Sequence, residues 1–355
     1  MSSKKLRVGF IGAGMISRMH ALGYMGSDRA EIVAVCDVDT GLARQRARLW
    51  GAKKIYADYR ELLKDPEVDA VEILLPHHLH AQVAIEAAEA GKHISMQKPI
   101  AMDLKEADRV VSAVRKSGVK LNIAEVYSFY PPILRASELI GKGEIGTPSM
   151  IRIQSLNGIG AVEEWQEPTE GPGAWRLDRK LGGGLIFDDI PHHYFATQRL
   201  VSGKVESVFA FMSYVDSPME YPAAVMWKYA DMDVYCVLTY PFFTMMRMKT
   251  KYYALNETYE VVGDEGLIRM SHITGELFPE PILVMRKKEK TIQFPDLPDD
   301  WSLGFVNEVA QFVECVLGDR EPYIGPDRAK EQLAFTLAAY KSASGGRRVS
   351  PDEMQ

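Results

Sequence analysis

The amino-acid sequence predicts an α/β protein: a doubly wound parallel sheet at the N-terminus, followed by an α+β domain built on a largely antiparallel sheet. Three observations carry this. Short apolar runs alternate with helical stretches over the first 125 residues, the pattern changes after Pro131, and 355 residues exceed what one core usually fills. Leu6–Ile11, Glu31–Cys36, Ala70–Leu75, His93–Met96 and Lys120–Ala124 are the apolar runs. Runs of this kind suit strands buried on both faces. Between them lie amphipathic stretches such as Leu79–Ala90, which is followed by Gly91 as a helix stop.

Beyond Pro131 the spacing predicts a helix over Pro132–Ile140, a strand over Pro148–Ser155 and a loop over Asn157–Gly173. Gly182-Gly183-Gly184 precedes a helix around His192–Leu200. Extended stretches rich in aromatic and β-branched residues fill Val205–Phe294, including Asp233–Tyr240 and Leu283–Met285. Two helices, Phe305–Leu317 and Pro326–Ser344, end the chain.

Composition narrows the function classes. Apolar residues make up 46% and charged residues 25%, which excludes a disordered or fibrous chain. A net charge of −6 provides no basic face for nucleic acid or for an anionic membrane surface. Cys36, Cys236 and Cys315 form no paired motif, which fits a reducing cytoplasm rather than a disulfide or zinc-ribbon scaffold. No apolar run reaches the ~20 residues that span a bilayer, and the glycine-broken N-terminal run reads as a strand rather than a signal peptide.

Gly12-Ala13-Gly14-Met15-Ile16-Ser17 stands where the first strand meets the first helix. Gly12 permits the tight turn, and Gly14 lets backbone approach a pyrophosphate at the helix N-terminus, where free N–H groups favour anionic oxygen. Ser17 replaces the usual third glycine. Asp37, ending the second strand about twenty residues on, is placed to accept hydrogen bonds from the adenosine ribose hydroxyls. The plainer reading makes these ordinary turn glycines and a loop aspartate. Their order along a strand–turn–helix unit favours a dinucleotide, and a carboxylate at Asp37 would repel a 2′-phosphate, so NAD is the expected cofactor.

Two stretches carry groups for chemistry. Lys98 follows the fourth apolar run, His93–Met96, at the open sheet end where ligands bind. Asp188 and His192 lie four apart behind the triple glycine, so on a helix they share a face. A carboxylate beside an imidazole suits a general base for an alcohol proton, and a lysine can polarise the reacting oxygen. His193 is the adjacent rival for the base. The plainer readings are a solvated lysine, a helix-capping aspartate and a core histidine.

Together these stretches resemble the glucose–fructose oxidoreductase/inositol dehydrogenase (Gfo/Idh/MocA) family over almost the whole chain. The matching residues include Val68-Asp69-Ala70-Val71 leading to Pro76, His78-Leu79-His80-Ala81, and Ala90-Gly91-Lys92-His93. Lys98-Pro99, Trp175-Arg176 and the triple glycine with Asp188 and His192 complete the set. The resemblance implies a Rossmann domain over 1–125. It also implies an α+β domain over 126–355 that binds substrate and, through a large open sheet, forms oligomers. It implies catalysis by Lys98, His192 and Asp188. Gly12, Gly14, Met15, Ile16, Asp37, Pro76, His77, His80, Gln97 and Lys98 are then expected at the cofactor. Tyr127, Trp165, Trp175, Arg176, Asp188, His192, His193 and Lys98 are expected at the substrate. His77, His78 and His80 look like metal ligands, but they fall where the family meets its cofactor, so no metal is expected. The family's usual glutamate, arginine and aspartate are Gln97, Ser128 and Phe195 here.

The expected activity is NAD-dependent oxidation of a secondary ring hydroxyl of a sugar or glycoside, C3 the position expected. The alternatives are a cyclitol dehydrogenase such as one for myo-inositol, a silent NAD-binding regulator, and a lyase or hydrolase working through transient oxidation. The expected assembly is a symmetric homo-oligomer in the cytoplasm, with no nucleic-acid or membrane partner. If Asp37 faces the ribose, calorimetry should show NAD binding at least ~10-fold tighter than NADP, about 1.4 kcal/mol; equal affinities would remove that role.

Overall fold

The computed structural model describes residues 5–160, 172–215, 218–241 and 245–355. They form two compact units: Met1–Val126 with Lys180–Gly182 and Gly304–Leu333, and Tyr127–Arg179 with Gly183–Leu303 and Ala334–Gln355.

The first unit carries β1 (Leu6–Ile11), α1 (Ser17–Met25), β2 (Ala30–Cys36), α2 (Thr40–Trp50), β3 (Lys54–Tyr56), α3 (Tyr59–Leu63), β4 (Ala70–Ile73), α4 (His80–Glu89), β5 (His93–Gln97), α5 (Leu104–Ser117) and β6 (Leu121–Ala124). All its strand pairs are parallel, in the order β3-β2-β1-β4-β5-β6. The order reverses beside β1, so ligands are expected outside the carboxyl ends of the strands there. Local chemistry sets the helix limits. Asp39 accepts from the backbone N–H of Gly41 and Leu42 to start α2, and Gly51 at φ 77° ends it. Asp103 and Gly118 do the same for α5.

The second unit carries α6 (Pro131–Gly141), β7 (Pro148–Asn157), α7 (Leu185–Leu200), β8 (Val205–Met212), β9 (Ala223–Tyr229), β10 (Tyr235–Tyr240), β11 (Lys249–Thr250), β12 (Leu255–Gly263), β13 (Gly266–Met270), β14 (Gly275–Glu276), β15 (Leu283–Lys287) and β16 (Lys290–Gln293). Eight of these strands form one sheet, ordered β16-β15-β13-β12-β7-β10-β9-β8, in which only β7 and β10 pair parallel among the described residues. Alternation along each strand sends Ile151, Ile153, Val225, Trp227, Leu238 and Tyr259 inward. The opposite face keeps Met150, Phe211, Met226 and Tyr235 exposed.

The chain ends with α8 (Ser302–Leu317) and α9 (Pro326–Gly345). Sequence order assigned α8 to the C-terminal domain, whereas its stripe Val309, Phe312 and Val313 joins the core of the first unit with Phe10, Tyr24 and Trp50. Periodicity marks the apolar face of a helix but not the core that receives it. Helix α7 starts at Leu185, seven residues before the expected His192, because the glycines end there. No helix of the described residues is long and apolar enough to cross a membrane. Phe312→Ala should therefore cost about 3–5 kcal/mol in denaturant unfolding, the range for an emptied aromatic site. A loss below about 1 kcal/mol would show that α8 is not part of that core.

Candidate active site

The glycine loop is built around contacts that only glycine allows. Gly12 has φ +101°, and a Cβ there would lie 2.2 Å from the Leu74 carbonyl oxygen. At Gly14 a Cβ would meet no protein atom within 4 Å, so the open space above the helix start suits a pyrophosphate. Ser17, in the third position, is buried and donates its hydroxyl to the Gly14 carbonyl at 2.5 Å. It thus holds the loop, where a glycine would only leave room. Asp37 accepts from the Ala13 backbone N–H at 2.8 Å and from Asp39 N–H at 2.8 Å. One carboxylate thus ties the end of β2 to the glycine loop. Met15 and Ile16 are half-buried at the same turn. These residues fit a dinucleotide.

At the end of β4, half-buried Pro76 precedes a short turn of helix, His77–Leu79. The histidines are each turned to main-chain oxygen: His77 Nδ1 to Gly182 at 2.8 Å, His78 Nδ1 to Leu181 at 3.4 Å. His80 has Pro99 O at 2.7 Å from Nδ1 and Leu75 O at 2.8 Å from Nε2. Burial first, then the neighbouring His77, push His80 down to about 3, and the Lys98 charge acts in the same direction. His80 is thus a neutral ring packed between the Leu75 and Pro99 carbonyls, with one N–H to donate, against the segment carrying Lys98, which is itself buried. Gln97 turns its amide to His20 Nε2 at 2.8 Å, His20 Nδ1 lies 3.0 Å from Glu72, and Glu72 accepts from Tyr24 and Ser95. The position before the lysine is part of a buried polar chain, not a charge partner for Lys98.

In the second unit the triple glycine is pressed against the short helix Pro172–Leu177: a Cβ at Gly183 would sit 2.3 Å from the Arg176 carbonyl oxygen. That contact brings Arg176 to the first turn of α7, where its Nε donates to Asp188 Oδ2 at 3.0 Å and its guanidinium lies 4.5 Å over the Trp175 ring. Trp165 and most of the loop Asn157–Gly173 lie outside the described residues.

The two adjacent histidines of α7 differ. His192 is half-buried and stacks on Tyr127, with centroids 4.6 Å apart and planes at 18°. His193 is fully buried, its Nδ1 2.6 Å from the Tyr259 hydroxyl and its Nε2 3.0 Å from Asp189 Oδ2. Tyr127, expected to line the substrate cleft, is buried instead. It donates to both oxygens of Glu257 at 2.8 Å, and burial with the Glu257 charge raises its hydroxyl well above the usual range. His193, expected at the substrate, is likewise enclosed. Ser128 and Phe195, the two other departures from the family pattern, touch each other: the Ser128 hydroxyl donates to the Phe195 carbonyl at 3.2 Å, and both residues are buried. Glu257 and Tyr259 carried no sequence signal, because strand register places them.

His80 links this arrangement to acid stability. Its pKa is depressed on folding, so between about pH 6.5 and about pH 3 the unfolded chain binds the proton first and stability falls as pH falls. By about pH 5 the loss is about 2 kcal/mol. His93 and His272 are also held below their ordinary value by burial and add to the slope. His80→Gln should flatten the loss of stability between about pH 6.5 and about pH 5 in denaturant titrations; an unchanged slope would contradict a neutral, buried ring.

Known proteins share this fold and these motifs. Residues 6–125 match the model of an oxidoreductase family with an NAD-binding Rossmann fold, and residues 133–269 match the GFO/IDH/MocA C-terminal domain. The levoglucosan dehydrogenase of Pseudarthrobacter phenanthrenivorans is 31% identical over 218 residues, 59% of this chain and 54% of that protein. The match thus spans little more than half the length of that relative. The scyllo-inositol 2-dehydrogenase (NAD(+)) of Bacillus subtilis is 28% identical over 356 residues, 98% of this chain and 97% of that protein. The solved structure of a levoglucosan dehydrogenase in complex with NADH and levoglucosan superposes with a TM-score of 0.82 at 21% identity, covering 98% of this chain and 99% of that one. The chain belongs to the Gfo/Idh/MocA family of NAD-binding oxidoreductases.

Proposed function

We propose that the protein oxidises a secondary ring hydroxyl of a sugar or glycoside, at C3, as an NAD-dependent dehydrogenase. The observation that carries this reading is the unequal setting of the two histidines on α7. His193 is enclosed with both ring nitrogens engaged, whereas His192 is half-buried with a face backed by Tyr127. Only His192 is set to meet a substrate proton.

When bound, NAD supplies the nicotinamide that accepts the hydride from the carbinol carbon. This chain's residues manage the oxygen and its proton. As the carbinol C–H bond breaks and the carbonyl forms, His192 takes the hydroxyl proton. Asp188, anchored by Arg176, supplies negative charge one helical turn away and favours the imidazolium. Lys98 stabilises negative charge on the reacting oxygen. Trp175, braced by Arg176, offers a ring face to a pyranose or an aglycone. Gly12, Gly14 and Asp37 hold the dinucleotide.

A cyclitol is the second reading, favoured by the inositol dehydrogenases matched along nearly their whole length. Three buried free thiols suit a reducing cytoplasm. The exposed Met150, Phe211, Met226 and Tyr235 on one sheet face suit a symmetric homo-oligomer, since monomers rarely expose a large apolar patch.

Lys98→Ala and His192→Ala should each lower turnover at least ~100-fold while NAD binding persists. Loss of activity in His193→Ala with His192→Ala still active would overturn the assignment. Glucosides should yield keto-glycosides by mass spectrometry; brisk myo-inositol oxidation without them would replace the sugar reading by the cyclitol one. Light scattering should show a dimer or larger at micromolar concentration, and a monomer would contradict the assembly.

A further inference from the structure

We propose that Asp189, His193 and Glu257 form a binding site for one divalent cation of the zinc or manganese class, buried in the second unit beside His192. One ligand atom from each of the three lies within 4.8 Å of the others, the single such group among the described residues. His77, His78 and His80, which resemble metal ligands in the sequence but from which no metal is expected, have their rings turned to main-chain oxygens.

The fold builds the site from two rigid elements. Asp189 and His193 are one turn apart on α7 and share a face. Glu257 comes from β12, two residues before Tyr259, so both point to the same side of the sheet. A cation held at about 2.1 Å from each ligand needs ligand atoms about 3.0–3.4 Å apart. His193 Nε2 lies 3.0 Å from Asp189 Oδ2, at that spacing, and 3.9 Å from Glu257 Oε1. Glu257 must draw in to complete the set, from ligand atoms that all lie within 4.8 Å of one another. One imidazole with two carboxylates is a donor set for Zn²⁺ or Mn²⁺ rather than for a thiolate-seeking metal.

The surroundings match a ligand set held from behind. The Tyr259 hydroxyl lies 2.6 Å from His193 Nδ1, which fixes the ring with Nε2 toward both carboxylates. The Tyr127 hydroxyl holds Glu257 through both oxygens. His193 and Glu257 are fully buried, while the Asp189 side chain is 16% exposed and leaves an approach. A cation there would also fix Tyr127, whose ring backs His192 at 4.6 Å.

The test reads metal, not turnover, so it stands apart from the proposed oxidation. Chelator-stripped full-length protein is titrated by calorimetry with Zn²⁺ and separately with Mn²⁺, and metal is counted by mass spectrometry after dialysis. The expected result is about one tightly held equivalent of at least one of them, with affinity lowered at least ~10-fold in Glu257→Gln and in Asp189→Asn and unchanged in Lys98→Ala. Asp189→Asn, at the partly exposed ligand, decides the matter if Glu257→Gln does not fold by circular dichroism. No saturable binding of either metal, or equal binding in wild type and Asp189→Asn, would overturn the site.

Discussion

The clamp on His193 is the constraint on which the second unit's chemistry depends. Its ring is held from Tyr259 on β12 and from Asp189 one turn earlier on α7, so the rotation of α7 about its own axis is set by a buried polar contact. Once that rotation is set, neighbouring residues have no freedom of their own. His192 must lie about 100° around the helix, against Tyr127, and Asp188 must fall on its face one turn earlier. A polar anchor is costly to bury, yet it specifies register in a way that apolar packing does not. Leu185, Ile186 and Ile190 would pack tolerably with α7 turned by some degrees, whereas His193 would lose its partners.

Departures from the family pattern follow the same logic of buried charge. Where the family carries a glutamate before its lysine, Gln97 passes a hydrogen bond to His20, and the negative charge of that region sits one strand away on Glu72. Where the family carries an arginine and an aspartate, Ser128 and Phe195 meet through a hydroxyl and a carbonyl. Because Ser128 and Phe195 are buried, they bear on how α7 is held, so they do not by themselves argue against a small cyclitol.

Much of this was legible in the residues alone, for local reasons. The turn at Gly12, the parallel sheet implied by alternating elements and the helix behind the triple glycine all depend on neighbours in sequence. What escaped depends on register between distant segments. Glu257 and Tyr259 face α7 only because β12 pairs with β7 in one register. The α8 stripe reads as apolar at any distance, and only packing shows that it completes the core around Phe10 and Tyr24. Tyr127 read as a cleft aromatic, since an aromatic beside a site and one beneath it look the same in sequence. Adjacent histidines posed the same difficulty: a helix turns about 100° per residue, so one is exposed and the other enclosed, and composition does not say which.

The division of labour between those two histidines is the central claim, and a crystal structure of the protein with NAD⁺ and a poorly turned-over glucoside tests it most directly. The account predicts the reacting ring hydroxyl within about 2.6–3.2 Å of an imidazole nitrogen of His192, with His193 still enclosed by Asp189 and Tyr259. A substrate hydroxyl bonded to His193, with His192 turned away, would contradict it.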